Sequence, residues 1–323
     1  MAADIYGYAG REIAWHREGQ VLPNAETMHE LHLAAGMDYE FRLMPLYWEK
    51  VEGDEEYHIM MKNKRLVTIN GQTSLDFVVN PDFQFHQPRE LAGVIDEILQ
   101  ASKSWGKSWK PETAVALGKG ETTCYCISLG EAQVGGTECM DYLIVTDTVD
   151  GKHALTAAVT RVKVVCRNTL RVALKSAQVQ LNVTHTRNHR DIFRSNVEGI
   201  IASQGKIHEA MSNLAAQAVS EKLVNDYLDR LFEVPEKEDE RWSPSVVKKM
   251  GLLKMSAANN FYRMVQEEKE APTKWVLFNA AQETIEHSGL LSSQKVAVRS
   301  LLTGKGETVA KITEAFVLAD VIQ

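Results

Sequence analysis

Between about residue 55 and residue 165 apolar and polar side chains alternate with a period of two, and beyond residue 191 apolar positions recur every three or four residues. The first pattern predicts strands and the second amphipathic helices. YHIMM, RLVTI, LDFVV, CYCISL, MDYLIVTDTV and LTAAVTRVKVVC read as strands. Asp150-Gly151 lies between two β-rich runs, LIVTDTV and LTAAV, and predicts a hairpin. A helix, RELAGVIDEILQAS, interrupts the strands. Before them, residues 1 to about 50 read as a loop followed by one short helix, ETMHELHLAAGM, with Gly36 near its end.

After Asp191 the apolar positions Val197, Ile200, Ile201, Ile207, Met211, Leu214, Ala218, Leu223, Tyr227 and Leu231 keep close to a 3.6 period, as one long helix or two. EVPEKEDE, from Glu233 to Glu240, breaks that period with polar residues that bury little area. Ser243-Pro244 then supplies a helix cap and a first-turn proline, and helices are expected around 245–270, 273–287, 292–303 and 307–319. The expected class is α+β: a largely antiparallel sheet with helices, then a long helix and a small C-terminal helical bundle. The expected organisation is an α+β domain over 1–190, a helical segment over 191–232, an acidic linker over 233–243 and a bundle over 244–323.

Composition adds little until charge is resolved along the chain. The 323 residues are 44% hydrophobic, enough to fill real cores. No apolar run approaches the roughly eighteen residues of a membrane span, and MAADIYGYAGREIAW lacks a basic region followed by an apolar one, so a cytoplasmic protein with no membrane partner is expected. The net charge is −7, yet Thr160 to Ser195 carries Arg161, Lys163, Arg167, Arg171, Lys175, Arg187, Arg190 and Arg194 against Asp191 alone. That segment is +7 and leaves −14 on the rest. A local positive field attracts phosphate, while an acidic remainder limits non-specific adhesion.

The segment is patterned as structure. Val162, Val164 and Cys166 alternate with Arg161, Lys163, Val165 and Arg167, a strand with one polar face. Asn168 or Thr169 is placed to cap a helix in which Arg167, Arg171 and Lys175 recur every four residues. Arg187, Arg190 and Arg194 follow at helical spacings of three and four. The competing reading is that all eight are solvated faces with no ligand.

Motifs for other chemistry are weak. ASKSWGKS, residues 101–108, aligns with a phosphate-binding loop, but alanine replaces the first glycine and a helix precedes it in place of a strand. GKGET occurs at Gly118 to Thr122 and at Gly304 to Thr308, as turn chemistry in two settings. Cys124, Cys126, Cys139 and Cys166, with His153 or His185 nearby, lack the spacing of a zinc site, and small buried thiols explain them as well. His185 and His189 stand four apart among arginines whose charge opposes a cation. Trp15-His16, Asp141 and His153 form no nucleophile–base–orienter pattern. The expectation is therefore no catalytic residue, no metal and no cofactor.

Several blocks together carry a resemblance. AWHREGQVL, a helix ending in AAGMDYEF, VVNPDFQFHQP, VVCRNTLRVAL, LFNAAQETIEH and LLTGKGE, in that order over nearly the whole chain, resemble the phage/plasmid-like protein family, a domain of unknown function common in phage and plasmid genomes. The family's usual asparagine-arginine reads here as VVNPD, so no role of that arginine carries over. The resemblance implies a mobile-element origin and a bacterial cytoplasm, and no activity.

The functional expectation is a phage accessory protein that binds nucleic acid, as a single-strand binder or annealing-type recombination factor. The eight basic residues would hold phosphates, and Tyr125, Tyr142, Phe193 or Trp109 would stack on bases. One alternative is a protein that blocks a host or defence factor with its acidic surface. Another is an enzyme on a phosphate-bearing substrate, with the arginines in a pocket. The apolar stripe of 196–232 offers a contact between subunits of a homo-oligomer, or a face for the chain's own sheet.

Overall fold

The computed structural model describes residues 5–11, 19–52, 55–163, 180–185, 191, 193, 195–196, 199, 202, 204–233, 243–287 and 307–322. In chain order these form strands β1 (Ile5–Gly10) and β2 (Gln20–Val21), helix α1 (Met28–Ala34), strands β3 (Phe41–Glu52), β4 (Glu55–Ile69) and β5 (Thr73–Val79), and helix α2 (Pro88–Ser104). Strands β6 (Lys110–Leu117), β7 (Thr122–Val134), β8 (Thr137–Thr148), β9 (Leu155–Lys163) and β10 (Gln180–Val183) follow. Five more helices complete the described chain: α3 (Gln204–Ala215), α4 (Glu221–Phe232), α5 (Pro244–Gln266), α6 (Lys274–His287) and α7 (Glu307–Val321). The α+β class is as the two periods predict.

The strands make two sheets. Seven lie in the order β10-β9-β8-β7-β6-β1-β2, with β1–β6, β6–β7 and β9–β10 antiparallel and β1–β2 parallel. The other sheet is β3-β4-β5, antiparallel throughout. Thr122 to Tyr125 and Leu143 to Val149 are buried without a break, so these central stretches are covered on both faces. Helix α1 begins at a capping box, with the Thr27 side chain accepting from Glu30 N and the Glu30 carboxylate accepting from Thr27 N. Asp96 of α2 also accepts from the free amides of Met28 (2.6 Å) and His29 (3.1 Å), so a carboxylate from one helix closes the positive end of the other.

Two local expectations need correction. YHIMM and RLVTI are one strand, β4. The first fifty residues, read as a loop and one helix, hold three strands, β1, β2 and the start of β3. β1 is short and glycine-rich because its backbone passes against the end of α1, where a Cβ on Gly7 would lie 1.8 Å from the Ala35 carbonyl oxygen. β3 contains Pro45, which cannot donate to a ladder and so reads against a strand.

Of the two alternatives for the helical segment over 191–232, the described part takes the divided one, with a break between Ala215 and Glu221. There the backbone bonds leave the helix for another partner: Val219 N donates to Pro272 O (2.9 Å) and Lys274 N to Gln217 O (2.9 Å). Ser220 then caps α4 by accepting from Leu223 N at 3.2 Å.

The chain divides into two compact units. Met1–Leu129, Leu143–Ala158 and Gln180–Ile200 form the first; Gly130–Tyr142, Val159–Val179 and Ile201–Gln323 form the second. In the second, α6 is the inner helix, with Trp275, Val276, Leu277, Phe278, Ala280 and Ala281 all buried. Arg263 of α5 holds the Glu283 carboxylate with two bonds of 2.9 and 2.7 Å, and Tyr227 of α4 donates to the Ala315 carbonyl of α7 at 2.9 Å. The helix expected over 292–303, and the acidic stretch from residue 234, lie outside the described residues.

Candidate functional site

The loop from Asn80 to Gln87 joins β5 to α2 and is held at both ends. Phe83 N turns back onto Asn80 O (3.1 Å), and the Gln87 amide pairs with the backbone of Phe41 in both senses, accepting from its N–H at 2.8 Å and donating to its carbonyl at 2.9 Å. The fixed loop points His86 into the first unit, where β8 presents Asp147 and the chain beyond β10 presents His185. His86 Nδ1 lies 3.0 Å from Asp147 Oδ2, and His185 Nε2 lies 3.2 Å from Asp147 Oδ1. The side chains of His86, Asp147 and His185 are 4%, 1% and 5% exposed. A charged group at such depth requires partners, because desolvation alone costs several kcal/mol or more.

The partners set the charges. Burial works to raise the Asp147 carboxyl, but His185 and His86 beside it prevail and hold it far below the usual carboxylate range. Burial opposes charge on His185 too. The Asp147 carboxylate and the carbonyls of Gln84 and His153 outweigh it, so the imidazole is held above its ordinary value. Its Nδ1 is 3.0 Å from Gln84 O, which fixes the ring's orientation. Phe83 stacks on the other side, with ring centroids 4.5 Å apart, and the His86 ring lies at the same distance, tilted. At 3.2 Å His185 Nε2 and Asp147 Oδ1 attract each other, yet among the described residues neither atom makes a well-aligned hydrogen bond. His86, Asp147 and His185 offer ligand atoms all within 4.8 Å of one another, two imidazoles and a carboxylate.

A second buried polar line runs near the N-terminus of α2. Tyr125 OH donates to Pro88 O at 2.9 Å and lies 3.1 Å from His32 Nδ1. The hydroxyl spends its proton on the carbonyl, so His32 Nδ1 is the donor to it. Burial, followed by the nearby His29, drives the His32 pKa down to about 4, which keeps that ring neutral.

The basic residues fare differently. Arg161 and Lys163 fall on the last part of β9. Arg167, Arg171, Lys175, Arg187, Arg190 and Arg194 lie outside the described residues, as do Cys166 and His189. The proposed stacking residues are corrected by burial: Tyr125, Phe193 and Trp109 are 0%, 1% and 5% exposed, so no base can reach them, and only Tyr142 keeps partial exposure. The large aromatic side chains that do face solvent include Tyr47, Trp48 and Tyr57 of the β3–β4 ribbon. The phosphate-loop look-alike at 101–108 is the end of α2 and the turn after it, where carbonyls, not amides, point outward, so it is no anion cradle.

Sequence reasoning weighed His185 with the cysteines or His189 and passed over His86 and Asp147. One signal was present: Asp147 is the single charge in the β-rich run LIVTDTV, and a carboxylate buried there demands a cationic or hydrogen-bonding partner. Compared with known protein families, residues 77–304 match DUF932, a domain of unknown function. No curated protein and no solved structure matches the chain.

Proposed function

The chain belongs to the DUF932 family, whose membership brings no activity with it, and we propose from its charge pattern and strand pairing that it binds the phosphate backbone of nucleic acid, as a single-strand binder or annealing factor. The observation that carries this reading is where the basic run begins and ends. β9 and β10 pair at Ala158↔Gln180, so the intervening span, with Arg161, Lys163, Arg167, Arg171 and Lys175 and no acidic residue, is tethered to strands at both ends. Tethering removes part of the ordering entropy that a free basic tail loses on binding. His185, fixed against Asp147 and Gln84, likewise anchors the chain two residues before Arg187, from which Arg190 and Arg194 follow. The resemblance to phage and plasmid proteins supports an accessory role for a mobile element in a bacterial cytoplasm.

The test is binding of the full chain to labelled single-stranded and duplex DNA over a salt series. Single-strand affinity should fall linearly in log salt with a slope of about −0.7 per phosphate contact. Changing Arg167, Arg171 and Lys175 together to glutamine should flatten that slope by up to about three contacts' worth. Absence of binding at low salt, or an unchanged slope in the triple variant, overturns the reading.

One observation favours the second reading, a protein that contacts a host factor. The outer part of the β3–β4 ribbon, residues 47–60, exposes Tyr47, Trp48, Val51, Tyr57, Ile59 and Met60 and carries Glu49, Glu52, Asp54, Glu55 and Glu56 against Lys50, while Arg42, Lys62, Lys64 and Arg65 lie nearer its base. That acidic, apolar surface repels phosphate and suits a basic protein partner. If Trp48→Ser abolishes a function that the glutamine triple variant leaves intact, this second reading replaces the first.

A further inference from the structure

We propose that His86, Asp147 and His185 bind one divalent transition-metal ion, with Zn2+ the best match to the donors. Two imidazole nitrogens and one carboxylate oxygen are a donor set that borderline ions such as zinc favour, and the hard-ion alternatives, magnesium and calcium, take oxygen ligands instead. The spacing fits. Ligands about 2.0–2.2 Å from a tetrahedral ion stand roughly 3.3 Å from each other; His185 Nε2 is 3.2 Å from Asp147 Oδ1, His86 Nδ1 is 3.0 Å from the other carboxylate oxygen, Oδ2, and one ligand atom from each residue lies within 4.8 Å of the others, so a small shift of the carboxylate brings the three to an ion.

The orientation of His185 fits as well. Its Nδ1 faces the Gln84 carbonyl as a donor, the arrangement by which a second-shell acceptor fixes the tautomer of a metal-binding histidine and leaves Nε2 as the ligand. That Nε2 meets Asp147 Oδ1 at close range but off the line of a hydrogen bond, so the two atoms are near each other without bonding well. An ion between them would engage both atoms.

The site ties together three stretches far apart in sequence: the loop before α2, the end of β8 and the chain after β10. With all three side chains at least 95% buried, and Phe83 stacked over His185, an ion held there would be shielded from solvent and would clamp these stretches together. The ligands come from none of the groupings that cysteine or histidine spacing suggests, since no two of the three are closer than thirty-eight residues in the chain. The site stands whether or not the chain binds nucleic acid.

The experiment uses the full chain, stripped with chelator and titrated with Zn2+ and, for its visible spectrum, Co2+. One equivalent should bind and raise the melting temperature. His86→Gln and His185→Gln should each lower Zn2+ affinity by about 100-fold or more, whereas His58→Gln, on the exposed ribbon, should leave it unchanged. Should the buried variants fail to fold, X-ray absorption on the zinc-loaded parent chain decides: a shell of two imidazoles plus oxygen supports the site, and any sulfur ligand, which would come from a cysteine, overturns it. Lack of stoichiometric binding by the parent chain, or equal binding by both buried variants, also overturns it.

Discussion

The two sheets are built from the same residue types and come to opposite ends. In the seven-stranded sheet, Leu143, Ile144 and Val145 of β8, Thr122–Tyr125 of the neighbouring β7 and Ala114–Leu117 of β6 beyond it are all buried. In the ribbon of β3 and β4, Tyr47 pairs with Met60 and Trp48 with Ile59, and every one of these is exposed. β5 covers β4 only from Arg65 to Ile69, so beyond that point the ribbon has two strands and no layer beneath it. An isolated two-stranded hairpin is marginal in water. The difference teaches that β-branched and aromatic content signals a strand, while burial is decided by what packs above and below it.

The sharpest break in this comparison would come from truncation in the inner sheet. Leu143→Ala should cost about 2–5 kcal/mol, because a side chain with no exposure leaves a cavity its neighbours cannot fill. Urea unfolding gives the value, and a loss below 1 kcal/mol would mean that the inner sheet is loosely packed. Next in size is Tyr125→Phe, which keeps the ring but removes the bond to Pro88 O and strands His32 Nδ1. About 1–3 kcal/mol should be lost, with the midpoint shifted and the urea dependence unchanged. The smallest effect should be Trp48→Ser, within about 0.5 kcal/mol of the parent chain. A cost above 2 kcal/mol there would show that the indole is packed in solution, and the contrast between the sheets would fail.

Much of the fold was legible because it is written in local periods. The helix RELAGVIDEILQAS, the hairpin at Asp150-Gly151 and the Ser243-Pro244 helix start each depend on residues within a few positions of one another. β1 was hidden because its strand character depends on α1, and the position of the break after Ala215, where the sequence allowed one helix or two, because its backbone partners lie at Pro272 and Lys274, more than fifty residues on. The candidate metal ligands were hidden for the same reason on a longer scale: a histidine at 86, an aspartate at 147 and a histidine at 185 have no spacing rule. Of the three, Asp147 carried a warning, as the single charge in the β-rich run LIVTDTV. The aromatic residues chosen for stacking failed because residue type does not reveal exposure, and Tyr125 and Trp48 differ in nothing but their surroundings.

The base of the ribbon holds one irregularity. Pro45 pairs with Arg65 but Tyr47 pairs with Met60, so Leu46 stands opposite Met61, Lys62, Asn63 and Lys64. The Arg65 guanidinium accommodates the surplus by donating to the carbonyls of Met61, Lys62 and Lys64. In a regular ladder an added residue turns every later side chain to the opposite face. Here the phase of the outer hairpin is already separated from that of the inner strands, and one side chain absorbs the mismatch. The hairpin can therefore lengthen, shorten or change its surface chemistry in descendants of this gene while the inner strands keep their register, which makes it the part of the molecule most open to evolutionary change.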